Sequence, residues 1–148
     1  MDGIDRKLLN YIQRNFPLTP EPYKEIGREI GLAEEEVVRR IKGLKERNII
    51  HRIGASMNSR SIGMVGSLCA ARVPEGQVKH FVEVVNSNPG VTHNYRRRHP
   101  YNVWFTLTAE SQQEIDDILE QVRKKTGVKD IVNLPSLRIF KIQVQFNF

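Results

Sequence analysis

The chain lacks several features that would place it in a special class of protein. Its 148 residues include one cysteine, Cys69, so no internal disulfide can form, as is usual in the cytoplasm. No apolar run approaches the roughly 20 residues that a membrane-spanning helix needs. The first five residues lack the basic flank and apolar core of a secretory signal. We therefore expect a cytoplasmic globular protein without membrane association, in which Cys69 is a buried small hydrophobe.

Metal-ligating patterns are also missing, whereas basic residues are in excess. Neither a His-x-x-x-His motif nor a cysteine pair occurs, so the sequence predicts no metal site built from protein ligands alone. Lysine and arginine number 23 against 17 aspartate and glutamate, which gives a net charge of +6. This balance favours an anionic partner, but it does not distinguish nucleic acid from a carboxylate-rich metabolite.

Residues 1–58 carry the pattern of a winged helix-turn-helix domain. The first predicted helix has Asp2 or Asp5 as its N-cap and ends in the proline-containing segment 17–22. A second helix ends at Gly31, a tight turn follows, and a third helix covers about 34–47. A short strand over 49–53 would form the wing. The apolar positions that repeat at helical spacing in the first and third helices are Ile4, Leu8, Leu9, Ile12, Phe16, Val37, Val38, Ile41 and Leu44.

Residues 59–148 alternate between strand and helix patterns in the order βαββαβ, which is the ferredoxin-like motif. The second helix of this domain should begin at Ser111, where Glu114 completes a capping box. A closing strand is predicted over 138–146, because Phe140, Ile142, Val144 and Phe146 alternate with polar residues. The fold class is therefore α+β. The other predicted elements are strands 64–73, 91–97 and 102–108 and helices 77–86 and 111–125.

A helix-turn-helix domain followed by βαββαβ resembles the Lrp/AsnC family of bacterial and archaeal regulators. The resemblance covers nearly the whole chain and is carried by three phrases and a linker strand. They are Ile4-Asp5-Arg6-Lys7-Leu8-Leu9, Ile26-Gly27-Arg28-Glu29-Ile30-Gly31-Leu32, Val38-Arg39-Arg40-Ile41-Lys42-Gly43-Leu44 and the linker strand from Ile49 to Gly54.

The predicted hairpin between the second and third strands has the most unusual composition in the chain. Residues 93–104 hold three consecutive arginines, two histidines, two tyrosines and the only tryptophan. Arginines grip carboxylates, histidines transfer protons near neutral pH, and flat aromatics cover planar ligands. A solvated basic hairpin is the alternative, but the combination predicts a site for a planar, multiply anionic molecule. The candidate residues are His93, Tyr95, Arg96, Arg97, Arg98, His99, Tyr101 and Trp104.

The two arms of this hairpin resemble the signature of sirohaem decarboxylase subunits, which are Lrp-like proteins. The matching phrases are Val91-Thr92-His93-Asn94-Tyr95-Arg96 and Tyr101-Asn102-Val103-Trp104-Phe105-Thr106. The resemblance implies removal of carbon dioxide from two acetate side chains of sirohaem, giving 12,18-didecarboxysirohaem in the alternative haem biosynthesis pathway. It implies a heterodimer with a paralogous Lrp-like subunit and no cofactor beyond the iron tetrapyrrole substrate. The phrase His93-Asn94-Tyr95 is more similar to the first of the two subunits, and a role in haem d1 biosynthesis stays open.

The reaction assigns expected roles to the hairpin residues. His93 and His99 are the candidate catalytic residues, because a group titrating near neutral pH suits both protonation steps. Either histidine could instead be an axial ligand to the substrate iron. The three arginines would hold carboxylates, although alternate strand residues face opposite sides and not all three should point at the ligand. The two tyrosines and Trp104 would line the ring.

A DNA-binding regulator of the Lrp/AsnC type is the alternative function. The third helix of such a domain enters the major groove at its start, which here is Glu34-Glu35-Glu36. Three carboxylates would face the phosphates of DNA, so we expect no tight DNA binding. A third interpretation is a haem or sirohaem sensor, in which a histidine ligates the iron and the output is regulatory.

Overall fold

The computed structural model describes residues 1–138, 140–141 and 145–148. The chain divides into two compact units, of which the first comprises Met1–Ala55 and the described part of 141–148. The described part of Ser56–Phe140 forms the second. The sequence pattern had assigned everything after residue 58 to the second domain. The described residues beyond Phe140 instead belong to the first unit.

The described part of the first unit contains three helices: α1 (Gly3–Asn15), α2 (Pro22–Ile30) and α3 (Glu34–Glu46). Asp2 is the N-cap of α1 and accepts a hydrogen bond of 2.7 Å from the backbone N–H of Asp5. Gly31 ends α2 in the left-handed conformation, at φ 79°. The apolar faces pack into one core, whose buried members are Leu8, Leu9, Ile26, Ile30, Val37, Ile41 and Leu44.

The strand predicted over 49–53 is wrong, because these residues form no strand in the structure. Ile49 and Ile50 both donate backbone hydrogen bonds to Leu44 O, at 2.9 and 3.2 Å. The chain therefore leaves α3 by folding back on its last turn. These two backbone N–H groups are therefore bonded to α3 and not to a neighbouring strand of a wing.

The C-terminal segment is held on α1 by two side-chain amides. Gln13 donates to Phe146 O at 3.1 Å and accepts from Phe146 N at 2.9 Å. Asn10 makes the corresponding pair with Phe148 O and N, at 3.2 and 3.3 Å. Each amide thus satisfies one backbone donor and one acceptor, as a neighbouring strand would.

The described part of the second unit contains six main elements: β1 (Val65–Ala71), α4 (Val78–Asn86), β2 (Val91–Arg96), β3 (Val103–Ala109), α5 (Gln112–Thr126) and β4 (Ile131–Pro135). Two short 3₁₀ turns, Ser59–Ile62 and Glu75–Gln77, accompany them. All strands are antiparallel, in the order β2-β3-β1-β4, which is the order of a ferredoxin-like sheet. The predicted α+β class and the βαββαβ order are therefore confirmed.

The closing strand predicted at 138–146 is wrong, since β4 is the earlier segment Ile131–Pro135. Of the predicted strand, residues 139 and 142–144 lie outside the described residues, and the others form no strand. Phe140 is 85% exposed and Phe146 is 61% exposed, so neither contributes the buried face that their alternation had indicated.

The sheet has one covered face and one open face. Every second residue of β3 is buried beneath the helices, and Phe105 packs edge-on against Phe81 of α4. The intervening residues, Trp104, Thr106 and Thr108, lie on the opposite face and are only half-buried. The strand register therefore decides which hairpin residues can meet a ligand or a partner on the open face. Within the described residues, no helix is both long enough and apolar enough to cross a membrane.

Candidate functional site

The hairpin between β2 and β3 is fixed at its base by hydrogen bonds. Arg97 N donates to Asn102 O at 2.9 Å. The Asn102 side chain accepts from Val73 N at 2.9 Å and donates to Val73 O at 2.8 Å. Asn102 therefore ties the hairpin to the segment after β1, and the residues between Arg97 and Asn102 form a loop on an anchored base.

The strand register separates the candidate residues of β2. His93 pairs with Thr106 and Tyr95 with Trp104, so these side chains share the open face of the sheet. Arg96 pairs with Val103, whose side chain is buried on the covered face. At the strand end Arg96 forms an ion pair with Glu75. Arg96 thus lies on the face of the sheet opposite to His93 and Tyr95, and which of the three arginines meet a ligand stays a prediction.

Four candidate residues meet at the tip of the hairpin. His99 stacks against Tyr101, with ring centroids 6.2 Å apart, and meets the Trp104 ring edge-on at 6.4 Å. The Arg97 guanidinium lies 5.7 Å from the centre of the Trp104 ring, which is a cation–π contact. Trp104 Nε1 donates to Tyr101 O at 2.7 Å. Trp104 is thus a half-buried platform at this site and no part of the helix-covered core.

One hydrogen bond determines the protonation pattern of the neutral His99 ring. Tyr101 N donates to His99 Nδ1 at 3.1 Å, so Nδ1 is the acceptor. In neutral imidazole the other nitrogen then carries the proton. His99 Nε2–H is therefore a hydrogen-bond donor.

The surroundings of His93 are different. Its Nδ1 lies 3.1 Å from Thr92 Oγ1 and 3.3 Å from Thr106 Oγ1, and the two hydroxyls are 2.6 Å apart. A hydroxyl can donate or accept, so these contacts do not select a tautomer. The ring also stacks on Tyr95 at 6.0 Å. His93 and Tyr95 thus form a second, exposed pair on the open face.

An open cleft of about 510 Å³ lies beside the hairpin tip. The ion pair between Glu75 and Arg96 lies at its wall. Since three of the lining side chains are cationic and one is anionic, the cleft suits an anion. The lining residues are Glu75, Arg96, Arg97, Arg98, His99 and Asn102.

Four further residues contribute to the site although they were not among the predicted site residues. Glu75 and Asn102 line the cleft. Arg72 lies 5.3 Å from the centre of the Tyr101 ring, and Asp130 accepts a hydrogen bond of 3.0 Å from Tyr101 Oη. Arg72, Glu75 and Asp130 come from segments far from the hairpin in sequence. Asn102 lies in the hairpin phrase itself, and its position between Tyr101 and Trp104 was the one available signal.

The single cysteine and the other two histidines have different surroundings. Cys69 is fully buried, as predicted, and burial raises the pKa of its thiol to about 11. His51 and His80 are exposed, and His80 Nε2 lies 3.4 Å from Lys125 O. Among the residues that the structure describes, no group of three or more histidines, cysteines, aspartates or glutamates is placed to hold a metal ion.

Comparisons with known proteins place the two units in one family. Residues 61–141 match the AsnC-like ligand binding domain, and residues 5–50 match the sirohaem decarboxylase NirDL-like HTH domain. The chain is 51% identical to "Siroheme decarboxylase alpha subunit" of Desulfovibrio desulfuricans over 99% of this chain and 84% of the relative. The chain belongs to the sirohaem decarboxylase family, as its hairpin phrases had indicated.

Solved structures give the same assignment at the level of the fold. The sirohaem decarboxylase NirDL, in co-complex with an iron-uroporphyrin III analogue, is 32% identical and superposes with a TM-score of 0.69. That match covers 89% of this chain and 44% of the NirDL chain. An AsnC family transcriptional regulator from Agrobacterium tumefaciens is 21% identical, with a TM-score of 0.80, over 99% of this chain and 96% of the regulator. At that identity the likeness shows the fold alone.

Proposed function

We propose that this chain is a subunit of a carboxy-lyase that converts sirohaem to 12,18-didecarboxysirohaem. The observation that carries the proposal is the cleft in which three arginines adjoin His99 Nε2–H. Its volume of about 510 Å³ lies within the range of about 300–1,000 Å³ typical of small-molecule sites. Family membership supplies the substrate, an iron tetrapyrrole with carboxylate side chains.

The proposed step breaks the bond between an acetate methylene and its carboxylate carbon. Carbon dioxide leaves, and the electron pair stays on the methylene, where the tetrapyrrole ring delocalises it. One proton then converts the methylene to a methyl group. We assign the delivery of this proton to His99, which takes up a proton from solvent, gives the one on Nε2 to the methylene and so returns to its neutral form. No cofactor other than the substrate takes part in this scheme.

The arginines differ in what they offer the substrate. Arg96 is paired with Glu75. Arg97 lies over Trp104, which leaves the ends of its guanidinium able to donate to a carboxylate. Arg98 lines the cleft close to His99. We assign carboxylate binding mainly to Arg97 and Arg98, with Tyr95, Tyr101 and Trp104 facing the ring.

We propose that the subunit assembles with a paralogous partner through the open face of its sheet. That face carries Leu68 and Leu134, which are 40% and 45% exposed. Unpaired apolar side chains on a sheet face favour burial against another protein. The cytoplasm is the proposed compartment, in keeping with a single buried thiol.

Anaerobic incubation with sirohaem tests the proposed function directly. The chain is assayed with and without its paralogue, and the tetrapyrrole is analysed by mass spectrometry. Loss of two carbon dioxide molecules per sirohaem is the expected result. An unchanged tetrapyrrole under both conditions would contradict the proposal. Sedimentation of the same mixture tests assembly, and a monomer alone and in the mixture would contradict the partner.

The regulator is the less favoured alternative, and the charges of α3 argue against it. Arg40 donates to Asp2 and Asp5 and also pairs with Glu36. Arg39 pairs with Glu36 as well. Two cations on the helix that would enter DNA thus have acidic partners within the domain. Sub-micromolar, sequence-specific binding to the upstream DNA of its own gene would restore this alternative and its sensor variant.

A further inference from the structure

We infer that Asp130 is a positioning residue that orients His99 through Tyr101. Asp130 Oδ1 accepts from Tyr101 Oη at 3.0 Å. Asp130 Oδ2 lies 3.1 Å from Arg72 Nε, and the Arg72 guanidinium lies 5.3 Å from the centre of the Tyr101 ring. The Tyr101 ring is thus held at its hydroxyl by Asp130 and on one face by Arg72.

Tyr101 contacts His99 in two ways, so its position sets that of the imidazole. The two rings stack with centroids 6.2 Å apart, and Tyr101 N donates to His99 Nδ1. Tyr101 O also accepts from Trp104 Nε1, the ring that His99 meets edge-on. A fixed Tyr101 therefore restricts both the direction of His99 Nε2 and the tautomer of the ring.

The contacts of Asp130 suit positioning better than stabilisation. The side chains of Arg72 and Asp130 are 58% and 46% exposed, and exposed ion pairs contribute little to stability. The hydrogen bond nevertheless joins the loop before β4 to the hairpin tip, 29 residues apart in sequence. Such a link reduces the freedom of a loop whose base is anchored by Asn102.

This inference rests on the proposed role of His99, and it is tested by kinetics on the assembly that turns over sirohaem. Asp130→Ala and Tyr101→Phe each remove the same hydrogen bond. Each should lower kcat by about 10- to 100-fold, the scale of a misplaced catalytic group, while KM changes by less than about twofold. The double variant should be no slower than the slower single variant, because both changes remove the same interaction.

Two further variants separate positioning from a general loss of structure. Asp130→Asn keeps an acceptor for the Tyr101 hydroxyl and should retain most of the parent kcat. Asp117→Ala is the matched control, since Asp117 is an exposed aspartate bonded to Gln113 on α5. It should leave kcat unchanged. The melting temperature should fall by less than about 4 °C in every single variant.

Nitrogen NMR of the His99 ring provides a readout that is independent of turnover. The parent should show neutral His99 with its proton on Nε2, and Asp130→Ala should shift the ring toward a mixture of tautomers. An unchanged tautomer, a parent-like kcat in Asp130→Ala or additive effects in the double variant would each overturn the inference. If the parent does not decarboxylate sirohaem but the tautomer shifts as expected, the proposed function fails and the positioning role stands.

Discussion

Replacing His99 with asparagine separates proton transfer from the shape of the hairpin. The amide oxygen of the new side chain can take the place of Nδ1 and accept from Tyr101 N, which lies 3.1 Å from Nδ1 in the parent. The amide cannot supply the proton that Nε2 carries. A positioned acid contributes about 100-fold or more to turnover, which is about 2.7 kcal/mol of activation free energy. We therefore expect kcat for sirohaem decarboxylation to fall by at least about 100-fold in His99→Asn.

Substrate affinity should depend on the arginines more than on His99. The arginines and the Trp104 platform remain in His99→Asn, so tetrapyrrole affinity should weaken by less than about threefold. Arg98→Ala removes a charged hydrogen-bond donor from the cleft, which costs about 1.5–3 kcal/mol of binding free energy. That cost corresponds to affinity about 10- to 150-fold weaker at nearly the same rate constant for bound substrate.

Anaerobic single-turnover kinetics and visible-spectrum titration measure the two quantities separately. His93→Asn is the matched comparison, because His93 is an exposed histidine whose hydrogen-bond partners are two threonine hydroxyls. A slower rate in His93→Asn with a normal rate in His99→Asn would transfer the acid role to His93. If the two histidine variants and Arg98→Ala all match the parent in rate and affinity, the hairpin is a solvated loop and the site assignment is wrong.

Three further predictions concern single residues. Glu75→Gln frees Arg96 and should tighten tetrapyrrole binding by up to about fivefold in titration, whereas weaker binding would mean that Glu75 itself contacts the ligand. Burial raises the pKa of Asp5, but hydrogen bonds from Arg40 and Arg47 outweigh it and hold the pKa below its ordinary 3.8. The Asp5 carboxylate therefore stabilises the fold above pH 3.8, and this stabilisation is lost as the pH falls through the lowered pKa of Asp5. Asp5→Ala should cost about 1–3 kcal/mol of unfolding free energy in urea at pH 7 and much less near pH 2; an equal cost at both values would contradict this. Gly27→Ala places a Cβ 2.5 Å from Leu32 O and should cost about 1–3 kcal/mol, whereas Gly43→Ala, with open space around its Cβ, should not destabilise α3.

Local sequence pattern predicted most of the fold, and its main failure has a physical cause. The pattern favoured residues 138–146 as the last strand, because four apolar side chains alternate there. The segment that pairs with β1 is Ile131–Pro135, which includes Asn133 and ends in a proline. Proline is tolerated there because β4 is an edge strand. The alternation of apolar residues indicates which segments can form strands, but which of these segments pairs with β1 depends on packing across the sheet.

The residues of the candidate site likewise differ in whether the local sequence could predict them. The residues from His93 to Trp104 could be selected together because they are contiguous, and the hairpin keeps most of them close. Glu75 and Asp130 could not, since they approach the hairpin only through the loops after β1 and before β4. Their influence is nevertheless considerable, because one neutralises Arg96 and the other orients Tyr101. A contiguous motif thus identifies the ligand-facing groups and misses the groups that tune them.

In the first unit, arginines of a helix-turn-helix fold pair with carboxylates of the same domain. Asp5 is only 5% exposed, and Arg40 and Arg47 both donate to it. A buried carboxylate needs such partners, because an unpaired charge in the interior is costly. Arg40 pairs with Asp2, Asp5 and Glu36. Its positive charge therefore links α3 to α1. The arginine with the most acidic partners on the third helix thus serves the domain's own interior.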